Sequence, residues 1–503
     1  MKKILLSGFL LLMAFPLFSQ DAEITLPADS IVASPDSIPT GNIVHLRTVI
    51  RGTTTPERYG AALELRTSTD GLTNAETVLA NAAVGSQGEF RFDFTPAFAG
   101  AVFIPLDAVN GFMFVEKNKT YNIALPPLQK RTRAELFNPY FRPAAMILSI
   151  VEPDKNDLTV QISAFEDTFD QYYMRSLVSK GNRDSIGVFI EQMQLQTGVS
   201  KSRFLEDYKK FRYALLAFMV TAERPEWALS FINQTDIDEA YASPAFWEAF
   251  NLIFDNFFSA FPLEPEQQDI EHALRQKDME MMNEILKVTF EIKSETLRQL
   301  VIINGLLDLY NRDTPDEKKD IERRAALLSM LEQYSRSGLT AQNSNIAQAV
   351  IAKLKKINVG EPAFNFHLPD ERGKMVSLSD FAGNYVYLHF VNAFITSSKR
   401  DLQVLSQFEK RYPNFKVVNI YVYNAAEDLQ AILPEFKRGM TNLHWNNNAA
   451  LLDEYEVRNI PTFYLIGPDG KFVFSPAPSP GEGFEEKFSK MMMDKEKEQQ
   501  LRK

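Results

Sequence analysis

Apolar and polar side chains alternate in short runs through the first third of the chain. Ile43 to Ile50 leads to Gly52, Ala61 to Thr67 follows, and Gly88-Glu89-Phe90-Arg91-Phe92-Asp93-Phe94 sets Phe against charge at every second position. A period of two is that of a half-buried strand, here opened by a turn glycine. Further strands are expected at Ala101–Pro105, Gly111–Glu116 and Tyr121–Leu125, a spacing that predicts a small β-sandwich over residues 42–150. The period then changes. Runs such as Phe204–Ala222, Ala245–Phe258, Met279–Phe290 and Glu295–Tyr310 carry apolar residues at helical spacing, with breaks at Pro225, Pro262-Leu263-Glu264-Pro265 and Thr314-Pro315-Asp316. Thr314 is placed to cap the next helix, with Pro315 at its first position. Residues 151–357 are therefore expected to be an all-helical domain, with Phe254, Phe257, Phe258 and Phe261 in its core. From Gly360 strands and helices alternate: a buried strand Tyr385–Phe390, a loop Val391–Ser398, a helix to about Tyr412, a strand Phe415–Tyr423, and a helix from about Glu427. This predicts an α/β domain over 358–492 and a charged tail over 493–503, in a multidomain α+β chain.

Length agrees with that division, since 503 residues allow about three domains. A net charge of -11 lacks the basic footprint that nucleic-acid binding needs, so no nucleic-acid partner is expected. Residues 1–20 read as a signal peptide: Lys2 and Lys3 precede the apolar stretch Ile4–Phe18. That stretch is shorter than the roughly 20 residues of a membrane span. Residues 21–41, rich in Asp, Ser, Pro and Thr, read as a flexible leader. The expected product is an exported, periplasmic, soluble protein with no span in the mature chain. The chain has no cysteine, which excludes a lipid anchor on cysteine and any disulfide.

The C-terminal pattern carries more specific marks. Pro362 to Asp370 leads into Gly373-Lys374-Met375-Val376-Ser377-Leu378-Ser379-Asp380-Phe381-Ala382-Gly383, and Ile460-Pro461-Thr462 precedes the strand before Asp469-Gly470. In this order the segments resemble the exported thiol–disulfide oxidoreductases of the TlpA and ResA type, within the thioredoxin-like and peroxiredoxin (AhpC/TSA) superfamily. The resemblance covers about residues 358–492, and the Gly-x-Phe-x-Phe strand resembles one from sandwich domains preceding such domains in exported Bacteroidetes proteins. It implies a thioredoxin-like fold, an opening hairpin before Gly383, and a cis-proline at Pro461 that helps bind extended substrate backbone.

It also implies where chemistry would sit. With Phe390 at the strand end, Ile395 occupies the position of the attacking cysteine and Ser398 that of the resolving one. Disulfide exchange and peroxide reduction both need a thiolate, which neither residue supplies. No catalytic residue is therefore expected. His389 is expected to be structural, and His45, His272, His367 and His444 show no metal-ligand spacing, so neither metal nor cofactor is expected. The expected function is noncatalytic: binding or scaffolding of a peptide or envelope protein through a groove formed by Phe394, Ile395, Thr396, Ser397, Ser398, Ile460, Pro461 and Thr462. The alternatives are an enzyme of the thiol–disulfide or peroxide-reducing class acting through thiol-independent chemistry, and a structural module whose function resides in the helical domain.

Overall fold

In a computed structural model, residues 47–501 are described apart from 56–59, 61, 133–134, 136–140, 180–182, 221–224, 261–263, 313–316, 338–339, 393, 406–407, 413, 423–439, 447 and 458. The expected signal peptide and leader, the Thr314–Pro315 cap, Phe261 and the helix from Glu427 lie outside the described residues. The chain divides into two compact units. Among the described residues, one is made chiefly of 47–130 and 142–351, the other chiefly of 352–501.

The first unit opens with two sheets. Strands β1 (Thr48–Thr53), β4 (Glu89–Phe94), β7 (Thr120–Ala124) and β9 (Ser149–Ile150) form one in the order β4-β1-β7-β9. The other comprises β2 (Ala62–Ser68), β3 (Glu76–Ala83), β5 (Gly100–Leu106), β6 (Val109–Val115) and β8 (Ala144–Ile147), ordered β3-β2-β5-β6-β8. In β4 the alternation is carried through, with Phe90, Phe92 and Phe94 buried and Glu89, Arg91 and Asp93 exposed. One apolar core takes Ile50, Phe92 and Tyr121 from the first sheet and Leu65, Ile104 and Met113 from the second. Sequence periodicity missed β3 because it has no clean alternation: against the adjacent Leu65 and Arg66 of β2 its pairing jumps from Ala80 to Val78, leaving Leu79 as an extra residue. It missed β8 and β9 because four and two residues are too short to show a period.

Among the described residues from Leu158 to Lys355, the regular elements are all helices, as expected. The run Glu295–Tyr310 is a single helix capped by Ser294, whose side chain accepts a hydrogen bond from Leu297 N–H. The run Ala245–Phe258 is instead two helices, Pro244–Ile253 and Phe257–Ala260. Asn256 between them has a φ of 50°, a left-handed conformation that ends the first helix. Phe254, Phe257 and Phe258 are all buried.

In the second unit, the hairpin of β10 (His367–Pro369) and β11 (Met375–Ser377) turns through Gly373, whose φ is 78°. The main sheet has the order β14-β13-β12-β15-β16, from β12 (Tyr385–Val391), β13 (Phe415–Tyr421), β14 (Thr441–His444), β15 (Thr462–Ile466) and β16 (Phe472–Phe474). β12 runs parallel to β13 and antiparallel to β15. All seven β12 residues are buried, which is why its sequence is nearly continuously apolar. Val386, Leu388 and Phe390 enter one core, and Tyr385 and Tyr387 the other. Both sheet edges are covered: residues 360–363 bond to the β16 segment, and Asp370 bridges to Leu443 of β14. The helix expected to reach Tyr412 is Thr396–Leu405, with a separate turn Phe408–Arg411.

Candidate functional site

Strand β12 delivers the chain to the turn that precedes helix Thr396–Leu405. Asn392 shapes that turn. Its Oδ1 accepts from Phe394 N–H at 2.9 Å, its carbonyl accepts from Ile395 N–H at 3.1 Å, and its Nδ2 donates to the Val422 carbonyl at 3.3 Å. This is the local bonding for which Asn is favoured in turns. Sequence reasoning had passed over it, although Asn at the end of a buried strand is a turn signal. Phe394 is thereby held 63% exposed, with Ile395 half-buried and Thr396 exposed in the first helical turn. Ser398 is fully buried, and its Oγ has no hydrogen-bond partner among the described residues.

The facing segment comes from β15. Phe390 pairs with Thr462 as the last pair of the β12–β15 ladder, so Pro461 enters β15 next to the end of β12. The Ile460–Pro461 bond is cis, and Thr462 Oγ1 donates to the Asn459 carbonyl. The pairing thus brings Pro461 and Thr462 beside the end of β12, four residues before Ile395. Phe394 to Ser398 reach the same end of the sheet through the turn.

Beneath this end lies a buried polar chain. His389 Nδ1 is 3.0 Å from Asn419 Oδ1, and Asn419 Nδ2 donates to Asn442 Oδ1 at 3.0 Å. The imidazole stacks on Phe463 with centroids 4.6 Å apart. Burial drives its pKa down to about 3, against a smaller upward pull from the Asn419 bond. His389 is therefore neutral at physiological pH, and its Nε2 has no partner among the described residues. Asp401, on the helix after the turn, has its pKa raised by burial and by Glu482, with Arg400 opposing. Among the described residues no group of three or more His, Asp or Glu is placed to hold a metal ion. The site offers an exposed aromatic ring, a half-buried aliphatic side chain and main-chain polar groups, and the chain holds no thiol to activate.

The AhpC/TSA family model matches residues 359–475. The thiol-disulfide oxidoreductase ResA of Bacillus subtilis (strain 168) is 32% identical over 137 residues, covering 27% of this chain and 76% of that protein. Among solved structures, a putative thiol-disulfide oxidoreductase from Bacteroides vulgatus is 24% identical, with a TM-score of 0.24 over 25% of this chain and 89% of that one. A putative thiol:disulfide interchange protein DsbE from Chlorobium tepidum is 25% identical, with a TM-score of 0.23 over 24% and 85%. By its C-terminal thioredoxin-like domain, the chain belongs to the AhpC/TSA family, as a member without cysteine.

Proposed function

We propose that this is an exported, redox-inactive thioredoxin-like protein that binds an extended peptide segment of another envelope protein. The observation that carries this reading is the pairing of a retained frame with lost chemistry. The turn, the following helix and the cis-proline support the frame, and the family resemblance assigns the cysteine positions to Ile395 and Ser398, neither of which is a thiol. Contact with the partner falls to Phe394, Ile395, Thr396, Ile460, Pro461 and Thr462. Buried Ser398 supports the turn from beneath, and Ser397 completes the first helical turn. The N–H groups of a helix start and the chain beside Pro461 suit extended backbone, and exposed Phe394 suits an apolar side chain.

In the same reading, residues 42–150 are a sandwich module, 151–357 a helical domain and 358–492 the binding domain. Export is supported by Lys2, Lys3 and Ile4–Phe18. No helix among the described residues is long and apolar enough to cross a membrane. The test is photo-crosslinking in intact cells from a photoreactive residue at Phe394, compared with one at Leu195, which is 83% exposed on a helix of the first unit. A discrete partner captured at position 394 and lost in Pro461→Ala is expected. Capture from position 195 alone would move the function to the helical domain and overturn the groove reading.

A further inference from the structure

Within the first unit, a half-open cavity of about 330 Å³ lies between the β2–β5 face and the helical segments around Tyr241 and Ile346. A smaller pocket of about 30 Å³ shares six of its residues, including Ala101 and Tyr241, and is lined further by Phe103, Phe112, Trp247 and Asn110. The outer volume is in the range of small-molecule sites, and the inner one admits little more than a water or a hydroxyl.

The polar groups of Tyr241, Trp247 and Asp70 are already committed. Tyr241 donates its hydroxyl to Asn343 Oδ1 at 2.5 Å, and Trp247 Nε1 donates to the Tyr241 carbonyl at 2.9 Å. The two rings pack edge to face, with centroids 5.6 Å apart and planes at 66°. The strand side is held against them: Ala101 N–H donates to the Ala242 carbonyl at 3.2 Å, and a Cβ at Gly71 would lie 2.6 Å from the Trp247 ring. Asp70, also on the outer wall, spends its carboxylate on Leu72 N–H, Thr73 N–H and the Thr73 hydroxyl. No charged side chain lines the inner pocket.

One polar atom is left over. Asn110 is 5% exposed, and its Oδ1 has no hydrogen-bond partner among the described residues. A buried acceptor without a donor is unfavourable, so a ligand that supplies the donor gains selectively. We infer that this cavity is a binding site for a neutral aromatic ring bearing a hydroxyl, the ring seated in the outer cavity against Tyr241, Phe98 and Ile346 and the hydroxyl entering the inner pocket to donate to Asn110 Oδ1. Edge-to-face packing is what such walls offer a ring. The same chemistry is available from a free phenol or from a tyrosyl side chain.

Calorimetric titration of the full chain with 4-ethylphenol and ethylbenzene tests this, with fluorescence from Trp247 as a second signal. The phenol should bind about tenfold more tightly than the hydrocarbon, the discrimination set by one satisfied acceptor. In Asn110→Ala that ratio should fall to about twofold or less, with ethylbenzene still bound. Ala101→Leu, which narrows the passage while leaving Asn110 in place, should weaken both ligands. N-acetyltyrosinamide and Gly-Tyr-Gly separate the sources: tighter binding than 4-ethylphenol assigns a peptide, weaker binding a free phenol. No saturable binding at concentrations of about 5 mM, far above a micromolar site, would reduce the pocket to a water site and overturn the inference. Equal affinity for the two ligands, or a ratio unmoved by Asn110→Ala, would overturn it as well.

Discussion

His389 is a buried base kept neutral by its surroundings, and this makes it a sensor of acid. In the unfolded chain its imidazole titrates near 6.5, whereas burial holds the folded form to about 3. Between those values the unfolded state binds the extra proton. The contribution is therefore fully present above about 6.5 and is lost as pH falls toward 3. From pH 7 to pH 4.5 the linkage is roughly 2–3 kcal/mol, at 1.36 kcal/mol per unit. Hydrogen exchange of β12 amides should show their opening free energy falling by that amount in the native chain. His389→Gln should flatten the dependence, since other acid-linked groups are common to both proteins; equal slopes would refute it.

At the scale of elements, Arg212 ties three helices together. Its guanidinium bonds Glu248 at 2.6 Å, Glu166 at 2.9 Å and Asp170 at 3.2 Å, and it lies 4.3 Å from the Phe169 ring centroid. Glu166 also accepts from the Tyr208 hydroxyl at 2.6 Å, and burial raises its pKa. The carboxylates come from helices Leu158–Ser179 and Pro244–Ile253, and the cation from Arg203–Val220. Removing the cation leaves Glu166 buried beside two more acids. Arg212→Met should cost about 3–5 kcal/mol in urea denaturation, and adding Glu166→Met should recover part of that loss. Additive losses in the double variant would show that the pair is not coupled. Gly305 sets another helix contact. A Cβ there would lie 2.2 Å from the Phe258 ring, so Gly305→Ala should destabilise by about 1–3 kcal/mol despite alanine's better helix propensity.

For the whole molecule, the question is whether the thioredoxin-like frame still supports the chemistry its sequence lacks. The native chain should not reduce insulin disulfides, because no side chain supplies a thiolate. Replacing Ile395→Cys together with Ser398→Cys places thiols at i and i+3, the first just before a helix start that lowers its pKa. Mild oxidation followed by mass spectrometry should find a reversible intramolecular disulfide, with weak reductase activity at most. Two thiols that never pair would show that these positions are not the site.

How much of this was legible beforehand differs by element. Strands β4 and β12 and helix Glu295–Tyr310 were readable because period and burial are local consequences of residue order, and the family marks around Gly383 and Pro461 are likewise contiguous. The missing thiol is also a fact of sequence alone. Strand β3 was not readable, since the extra residue Leu79 breaks its alternation. Asn392 was in view, but its three bonds depend on Val422, Phe394 and Ile395 arriving together. The burial of Ser398 and the commitment of Tyr241 and Trp247 to Asn343 and each other follow from helices packing onto sheets. So does the unpaired Asn110 oxygen. A side chain's chemical type is written in the sequence; its exposure and its partners come from residues far along the chain, which only the tertiary fold brings within hydrogen-bond reach.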